Sequence, residues 1–319
     1  MAQSGAVTRQ SRKSQSYLAR LGRNIVKHKW TYMMMIPVLA YYIIFHYGPL
    51  YGVQIAFKDF NPGKGIWGSK WVGLKHFISF FNGVYAWRTI RNTLFINIYL
   101  LLFGFPAPII LALLLDEVHK PVFKKTVQTI TYLPHFISTV VIAGILVDFC
   151  STNGLFNQIA QMINPNYVKG ALLGRMSLFR TIYVSSDIWQ SIGWNSIIFI
   201  AALSGVDSEL YEAVAIDGGN RFHRVWHVSI PCLLPTIVIM LILRIGNLMS
   251  LGFEKIILLY TTGTYEVADV ISSYVYRRGL LDFSYSFSSA VGLMNNIINF
   301  ILVISANAIS RKVTETSLW

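Results

Sequence analysis

The chain has 319 residues, of which 54% are hydrophobic and only 13% are charged, and its mean hydropathy is +0.51. Soluble domains carry about 25% charged residues, so this composition excludes a water-soluble globular fold for most of the chain. The net charge of +13 is compatible with nucleic acid, a membrane surface or an acidic substrate, and only its distribution can discriminate among them.

The basic residues are concentrated at the N-terminus. Seven of the 27 lysines and arginines lie in residues 1–29, directly before the first apolar run. This asymmetry follows the positive-inside rule and predicts a cytoplasmic basic tail over 1–29 rather than a nucleic-acid-binding surface. Residues 12–29 suit either an amphipathic interfacial helix or a solvated tail. The tail is too long and too basic for a signal peptide, so the first apolar run is predicted to be an uncleaved helix.

A helix needs about 20 apolar residues to cross the hydrocarbon layer, because every backbone polar group must be satisfied internally. Six windows meet this condition: 31–53, 90–115, 126–149, 181–204, 232–252 and 289–310. The chain is therefore predicted to be an all-α integral membrane protein with a transmembrane domain over 30–310. An even number of spans places both termini in the cytoplasm, the second as a short tail over 311–319.

This topology assigns each connecting segment to one side of the membrane. The segments expected on the cytoplasmic side are 116–125 and 205–230, and those expected outside are 58–88, 151–180 and 255–288. Cys150 and Cys232 then lie on opposite sides, so a disulfide between them is not expected.

The cytoplasmic segment 205–230 carries the most specific pattern in the chain. Glutamate and alanine favour a short helix over 211–216, and Gly218 with Gly219 would end it and turn the chain. A second short helix, closed by Pro231, is expected to follow. Two short helices of small and apolar residues cannot bury themselves, so this segment predicts a docking surface for another protein.

The same residues resemble the cytoplasmic signature of binding-protein-dependent ABC importer permeases. Glu212 and Ala213 match that signature, Val214 replaces its third small residue, Gly218 falls on its glycine, and Pro231 ends it. The resemblance implies a type I importer fold and a coupling helix that inserts into a cytoplasmic ATPase subunit. The residues assigned to coupling are Glu212, Ala213, Val214, Ala215, Asp217, Gly218, Gly219 and Pro231.

The resemblance extends over most of the chain. Residues 131–138, 187–194 and 92–94 are similar to permeases that carry aldouronate, alginate and other polysaccharide fragments. It implies a multi-pass subunit of a bacterial inner membrane that imports a sugar, favouring oligosaccharides and among them acidic ones. The implied partners are a second homologous permease, two ATPase subunits, an extracytoplasmic solute-binding protein and membrane lipid. ATP and Mg would bind to the ATPase subunits, and no cofactor or metal is expected on this chain.

Two charged residues are predicted at membrane depth, Asp187 and Arg244. Such groups cost several kcal/mol unless they are paired or face a water-filled cavity. Arg244 would either contact a sugar hydroxyl or carboxylate or form an ion pair, for example with Asp187. Trp189, Trp194, Tyr274 and Tyr276 are further pathway candidates because aromatic rings stack on sugars, although such residues also anchor helix ends at the interface.

Other functions lack their sequence marks. A phosphate-binding loop is absent, since the glycines and lysine of 61–65 have neither the spacing nor the hydroxyl, so the chain is not expected to hydrolyse ATP. An ion-driven secondary transporter would show inverted repeats with several buried acids. A membrane-embedded glycosyl or acyl transferase would show clustered acids or histidines at one face. Neither pattern is found.

Overall fold

The computed structural model describes residues 24, 26–313 and 317–318. Most of the basic tail, including most of the possible interfacial helix over 12–29, lies outside these residues, as do Thr314 to Thr316 and Trp319 of the predicted C-terminal tail. The chain divides into two compact units, Met1–Gln54 and Ile55–Trp319.

The first unit contains helix α1, Lys29–Tyr42, followed by a π-helical turn Ile43–Tyr47 and a short helix Gly48–Leu50. Helix α1 is apolar around its whole circumference and has no buried residue. An α-helix of this kind is stable when lipid or another protein surrounds it. The 3₁₀ segment Tyr51–Phe57 continues it into the second unit.

The described part of the second unit is helical apart from one small hairpin. Its α-helices of six residues or more are α2 Lys75–Phe81, α3 Ala86–Tyr99, α4 Pro106–Asp116, α5 Pro121–Tyr132, α6 Thr139–Cys150, α7 Leu155–Ile163, α8 Met176–Leu203, α9 Ser208–Ile216, α10 Ile230–Gly246, α11 Phe253–Leu259, α12 Ile271–Tyr276 and α13 Tyr285–Val313. Shorter α-helical turns lie at Gly65–Gly68, Arg221–Arg224 and Tyr265–Ala268. Turns of π type lie at Leu100–Gly104, Val225–Ser229 and Arg277–Leu281, and 3₁₀ turns at Leu133–Phe136, Leu172–Gly174 and Thr262–Thr264.

The hairpin lies before α2. Strand β1, Lys58–Asp59, pairs in antiparallel fashion with β2, Lys70–Trp71, so that Asp59 lies opposite Lys70. Lys75 at the start of α2 places its ammonium 2.8 Å from the Asp59 carboxylate. This ion pair joins the hairpin to the helix that follows.

Five helical stretches in the described chain are long and apolar enough to cross a membrane, judged by length and composition alone. They are Lys29–Phe57, Ala86–Asp116, Thr139–Ile163, Arg221–Gly246 and Tyr285–Val313. The predicted window 181–204 lies in α8, which has 28 residues and is about 42 Å long. Polar residues such as Asp187, Gln190 and Asn195 lower its hydropathy, so it is not among the five. That α8 crosses the membrane stays a prediction.

The single helix predicted over 126–149 is wrong. Helix α5 ends at Tyr132, a 3₁₀ turn containing Pro134 follows, and α6 begins anew at Thr139. Pro134 has no N–H to continue the α-helical ladder. Ser138 then caps α6 by accepting a hydrogen bond of 3.4 Å from the backbone N–H of Val141. The apolar run is therefore divided between two helices.

The expected end of the second short helix at Pro231 is also wrong. Helical structure continues from Arg221–Arg224 through the π turn Val225–Ser229 into α10. A proline inside an α-helix clashes with the carbonyl four residues earlier, here that of His227. The wider π turn directly before Pro231 relieves this clash. Residues 221–229 therefore form a continuous helical extension of α10 rather than part of a loop.

Three hydrophobic clusters form the core of the second unit. The first joins α3, α6, α8 and α11, the second joins α4, α8 and α10, and the third joins α2, α12 and α13. Their buried anchors are Ile96, Phe179 and Ile256 in the first cluster, Phe199 and Leu233 in the second, and Phe80 and Val291 in the third. Helix α8 belongs to two clusters, which fixes its polar residues between α3 and α10.

Candidate functional site

Helix α9 carries the first candidate site, the predicted coupling segment. It begins three residues earlier than predicted because Asp207 caps it, accepting a hydrogen bond of 3.0 Å from the backbone N–H of Glu209. A carboxylate at this position satisfies a free helical N–H and complements the helix dipole. Glu212, Ala213 and Ala215 follow on the exposed surface of the helix.

The two glycines end α9 for different reasons. Gly218 has a φ of +76°, and its N–H donates to the carbonyl of Ala215 at 3.1 Å. The N–H of Gly219 donates to the carbonyl of Val214 at 2.8 Å, which completes a Schellman motif after Asp217. A Cβ on Gly219 would lie 2.5 Å from Cγ1 of Val214. Gly218 is thus required for its conformation and Gly219 for space.

The inner side of α9 is anchored to two long helices. The Tyr211 hydroxyl lies 3.4 Å from the carboxylate of Asp116 at the end of α4 and 3.2 Å from the hydroxyl of Ser229 before α10. Burial raises the pKa of Tyr211. Arg224 stacks its guanidinium 4.9 Å from the Tyr211 ring and lies 3.8 Å from Glu117, an ion pair too long for a hydrogen bond. These contacts join α9 to the end of α4 and to the helical segment that precedes α10.

The outer side of this segment exposes apolar groups next to charge. Ile216 is 86% exposed and Phe222 is 71% exposed, and the ring of Phe222 stacks on that of Trp226 with centroids 6.2 Å apart. Glu212 and Pro231 are exposed as well. A contiguous apolar patch with a charged rim is typical of a surface that another protein covers.

The second candidate site is a pair of adjoining cavities inside the helix bundle, with volumes of about 360 and 320 Å³. Both are lined by Leu100, Asp187 and Arg244. The remaining lining of the first is Asn97, Thr139, Tyr183, Gln190, Ser250, Leu251, Gly252, Phe253, Glu254 and Lys255. The remaining lining of the second is Gly104, Phe105, Pro108, Ser191, Asn195, Phe199, Met240, Leu243 and Asn247.

The lining residues recur at helical spacing. Helix α8 contributes Tyr183, Asp187, Ser191, Asn195 and Phe199, each four residues apart. The helical stretch 97–108, which begins in α3, also contributes lining residues mostly at spacings of three or four. The same holds for the lining residues of α10. Residues four apart are neighbours on an α-helix, and a series of them forms a stripe that winds by about 40° per step around the helix. Sixteen residues of α8 correspond to about 24 Å, so the lining of the two cavities extends along most of the length of α8.

Charges in the first cavity are unevenly paired. The Lys255 ammonium lies 3.6 Å from the Asp187 carboxylate, and the Lys255 side chain is 7% exposed. Burial lowers the pKa of Lys255, and the charge of Asp187 opposes that shift. Asp187 is thus paired with Lys255 and not with Arg244, the partner considered from the sequence. Among the described residues, no carboxylate lies within 4.0 Å of Arg244.

Neither of the two tryptophan candidates lines these cavities. Trp189 lines a separate apolar cavity of about 320 Å³ between α6, α7 and α8. Trp194 stacks on the ring of His135, with centroids 4.5 Å apart and planes 6° from parallel. Both side chains remain partly exposed, at 49% and 43%, which suits contact with lipid or another chain.

The two tyrosine candidates also lie outside the cavity lining. Tyr274 packs against Phe80 and Phe287 in the core around α2 and α13. Tyr276 stacks on Phe253, with centroids 4.9 Å apart, and Phe253 itself lines the first cavity. Of the six predicted pathway residues, Asp187 and Arg244 therefore line the same cavities. Tyr276 does not line them but packs against Phe253, which does.

Sequence reasoning missed most of the cavity lining. Lys255 was placed in an outer loop, although it begins an apolar run, and a lysine in such a run is a sign of a buried partner. The polar stripe of Asp187, Ser191 and Asn195 at intervals of four could have been recognised on α8. Asn97 and Asn247, from α3 and the end of α10, carry no such signal alone.

A second charged cluster was also missed. Asp269 is completely buried, and its carboxylate accepts hydrogen bonds of 3.0 Å from Arg88, 2.7 Å from Arg277 and 2.7 Å from the Ser273 hydroxyl. Burial alone would lower the pKa of Arg277, but the hydrogen bonds and charge of Asp269 outweigh it and raise that pKa. This cluster fastens the 262–281 segment to α3.

Known proteins resemble this chain over nearly its whole length. Residues 104–315 match the family described as "Binding-protein-dependent transport system inner membrane component". The chain is 42% identical to protein LplB of Bacillus subtilis (strain 168), over 95% of this chain and 94% of LplB. It is 39% identical to the polygalacturonan/rhamnogalacturonan transport system permease protein YteP of the same organism, over 94% and 93%. A solved bacterial alginate ABC transporter, in complex with an alginate pentasaccharide-bound periplasmic protein, contains a similar chain, with a TM-score of 0.85, 39% identity and coverage of 94% and 100%.

Proposed function

Because the chain belongs to the family of binding-protein-dependent transport system inner membrane components, we propose that it is the permease through which an oligosaccharide enters a bacterial cell. The observation that carries this proposal is the polar path along α3, α8 and α10. Polar side chains line this path within an otherwise apolar helix bundle. A hydrophilic solute requires such a lining to cross the hydrocarbon layer.

The coupling segment and the path share the same rigid helices. Tyr211 contacts Asp116 at the end of α4 and Ser229 at the start of the α10 extension. Helix α4 contributes Pro108 to the path and α10 contributes Arg244. From Ser229 to Arg244 is 15 residues, or about 22 Å of helix. A shift of α9 on a partner protein would thus reach the middle of the path, which is the coupling that alternating access needs.

The partner at α9 is, in this proposal, a cytoplasmic ATPase subunit. Two such subunits would bind ATP and Mg, and this chain would bind neither. A second homologous permease would supply the other half of the path, and an extracytoplasmic binding protein would deliver the sugar to the 58–88 and 255–288 segments. The presence of an ABC transporter and a periplasmic protein in the complex of the similar solved chain supports this assembly.

The substrate class we propose is an acidic oligosaccharide. The names of two similar proteins, a polygalacturonan/rhamnogalacturonan permease and an alginate transporter, support it. Arg244 lines the path and has no carboxylate partner among the described residues. The ammonium of Lys255 lies 3.6 Å from the carboxylate of Asp187. A uronate carboxylate passing Arg244 can accept a bidentate hydrogen bond, which a neutral sugar cannot reproduce.

Uptake into proteoliposomes tests the proposal. We expect oligogalacturonate to enter only when the ATPase subunits and ATP are present inside and the binding protein is present outside. Arg244→Gln should lower uptake of the acidic sugar by about tenfold, because a hydrogen bond to a charged group contributes about 1.5–3 kcal/mol. Arg175→Gln, which changes an arginine at the start of α8 that lines neither cavity of the path, is the control.

Two results would contradict parts of this proposal. Uptake driven by an ion gradient without any ATPase would make the protein a secondary transporter. An equal loss of neutral and acidic sugar uptake in Arg244→Gln would assign that arginine a structural role instead of a role in substrate selection.

A further inference from the structure

Two other cavities meet at the N-terminal end of α8, on a different side of the helix from the path. Their volumes are about 370 and 510 Å³, and both are lined by Tyr99, Arg180 and Thr181. The smaller is completed by Met176, Ser177 and Val267. The larger is completed by Phe103, Val184, Ser185 and Ile188. The first is rich in hydroxyl groups around a guanidinium, and the second is mainly hydrocarbon.

Arg180 has only neutral partners in the described structure. Its Nη2 donates to Oδ1 of Asn92 at 2.8 Å, and its Nε donates to the carbonyl of Val267 at 3.4 Å. The guanidinium also lies 5.0 Å from the centre of the Phe95 ring. An arginine has five N–H donors, so about three remain for a ligand.

The surrounding charges do not supply an anion for Arg180. Asp269 is bonded to Arg88 and Arg277, and Glu266 to Arg91 at 2.6 Å. The cluster, counted with Arg180, therefore holds four arginines and two carboxylates among the described residues. A half-buried cation without a counter-ion favours the binding of an anion from outside the chain.

We propose that this pair of cavities binds an anionic glycerophospholipid. Its phosphate accepts hydrogen bonds from Arg180 and from the hydroxyls of Tyr99, Ser177 and Thr181 in the smaller cavity. One acyl chain occupies the larger cavity along Phe103, Val184 and Ile188. Arginine suits this role because its planar fork matches phosphate oxygens.

The apolar cavity favours lipid over the other anions in reach. A uronate would leave its hydroxyls without hydrogen bonds against Phe103, Val184 and Ile188, which costs free energy for each one. Phe103 lies in the apolar stretch Ala86–Asp116, so the larger cavity opens where acyl chains are the solvent. Tyr99 at the junction suits the headgroup interface. The inference requires only that the chain is a membrane protein.

Native mass spectrometry of the assembled transporter tests this site. The complex, stripped of lipid in detergent, is titrated with phosphatidylglycerol and with phosphatidylcholine of the same acyl chains. We expect preferential retention of phosphatidylglycerol. Arg180→Gln should reduce that preference at least tenfold, whereas Arg175→Gln should not, since Arg175 also lies at the start of α8 but lines neither cavity.

A second variant isolates the apolar cavity. Ile188→Trp fills part of the larger cavity and leaves the hydrogen bonds of Arg180 intact. It should therefore weaken retention of both lipids. This variant still tests the proposal if Arg180→Gln prevents assembly. Three outcomes would overturn the proposal: an unchanged preference in Arg180→Gln, equal competition by glycerol phosphate without acyl chains, or crosslinking that places a partner subunit in the groove of the wild-type complex.

Discussion

Two charged regions of this protein use their charges in opposite ways. The completely buried carboxylate of Asp269 accepts hydrogen bonds from two arginines and a serine. All of these partners belong to the same chain. At α9, Glu212 is exposed and forms no ion pair with another described residue, while Ile216 and Phe222 beside it are largely in solvent.

The two regions differ in where the partners of their charged groups lie. A buried charge cluster is satisfied by its own chain and holds two segments in a fixed geometry, so it contributes rigidity. An exposed charge beside apolar side chains has its complement on another molecule, so it contributes recognition. Substitutions in the first region should therefore reduce stability, and those in the second should reduce coupling while the fold remains.

The largest expected effect is that of Asp269→Asn. The change leaves Arg277 partly buried without a counter-charge and leaves Arg88 with only the carboxylate of Glu266 at 3.9 Å, and removal of one partner of a buried charge cluster costs about 3–5 kcal/mol. Thermal unfolding of the solubilised complex should show a markedly lower midpoint and a lower yield from membranes. Asp282→Asn, which breaks an exposed pair with Arg278, should change the midpoint little. Equal midpoints for the two variants would contradict the role of the cluster.

The next effect concerns Glu212→Ala and Gly218→Val. A valine at a φ of +76° introduces strain of about 1–3 kcal/mol, which loosens the end of α9. Both variants should insert and assemble, yet lose substrate-stimulated ATP hydrolysis and uptake. Gly73→Val is the control for backbone strain, with thermal unfolding of the complex as its readout, because Gly73 also has a positive φ, +60°, with no atom within 4 Å of its added Cβ. Wild-type uptake in either α9 variant would remove that residue from the coupling surface.

A smaller change is expected for Tyr211→Phe, which sharpens the comparison by testing the link behind the surface. It removes the hydroxyl contacts with Asp116 and Ser229 but keeps the ring under Arg224, at a cost of about 1 kcal/mol. More ATP should be hydrolysed for each sugar imported. Tyr167→Phe is the control, because that ring also lies under an arginine, at 6.0 Å. An unchanged ratio would mean that α9 acts through other contacts.

The smallest effect is that of Asp59→Asn in the hairpin. The hydrogen bond and charge of Lys75 lower the pKa of Asp59 below its ordinary 3.8, so its ionised form stabilises the fold above that value. The stabilisation should be lost as the pH falls through the lower folded-state pKa. Because the pair is exposed, we expect only about 0.5 kcal/mol at pH 7. The difference in unfolding midpoint between wild type and variant should shrink with acidification, and a constant difference would contradict this assignment.

The coupling segment could be predicted almost residue by residue. Its signals are local: Glu212 and the alanines favour helix, and Gly218 and Gly219 end it through hydrogen bonds within six residues of chain. The prediction failed at the start of α9, which Asp207 caps three residues earlier than expected, and at Pro231, where the helix continues from the π turn Val225–Ser229. That turn depends on the packing of Val228 and Ser229, which are buried, and packing is not visible in a local pattern.

The path could be predicted only in part. Asp187 and Arg244 were recognised because charge is rare and costly in an apolar helix. Their pairing was not, because Lys255 reaches Asp187 from α11, 68 positions away in the chain. Trp189, Trp194 and Tyr274 were predicted to line the path because aromatic rings stack on sugars. The residue type alone, however, does not indicate whether an aromatic side chain faces a path, a core or lipid.

What the sequence by itself determined is whatever follows from composition and from contacts within a few residues: the membrane-embedded helical class, the positions of most helices, and the turn that ends α9. Tertiary structure alone decided which helix faces meet. The polar path and the site at Arg180 each combine residues from three or more distant segments, and the Asp269 cluster joins two. Their formation depends on the summed burial of the hydrophobic clusters around α8, and no single stretch of sequence contains that sum.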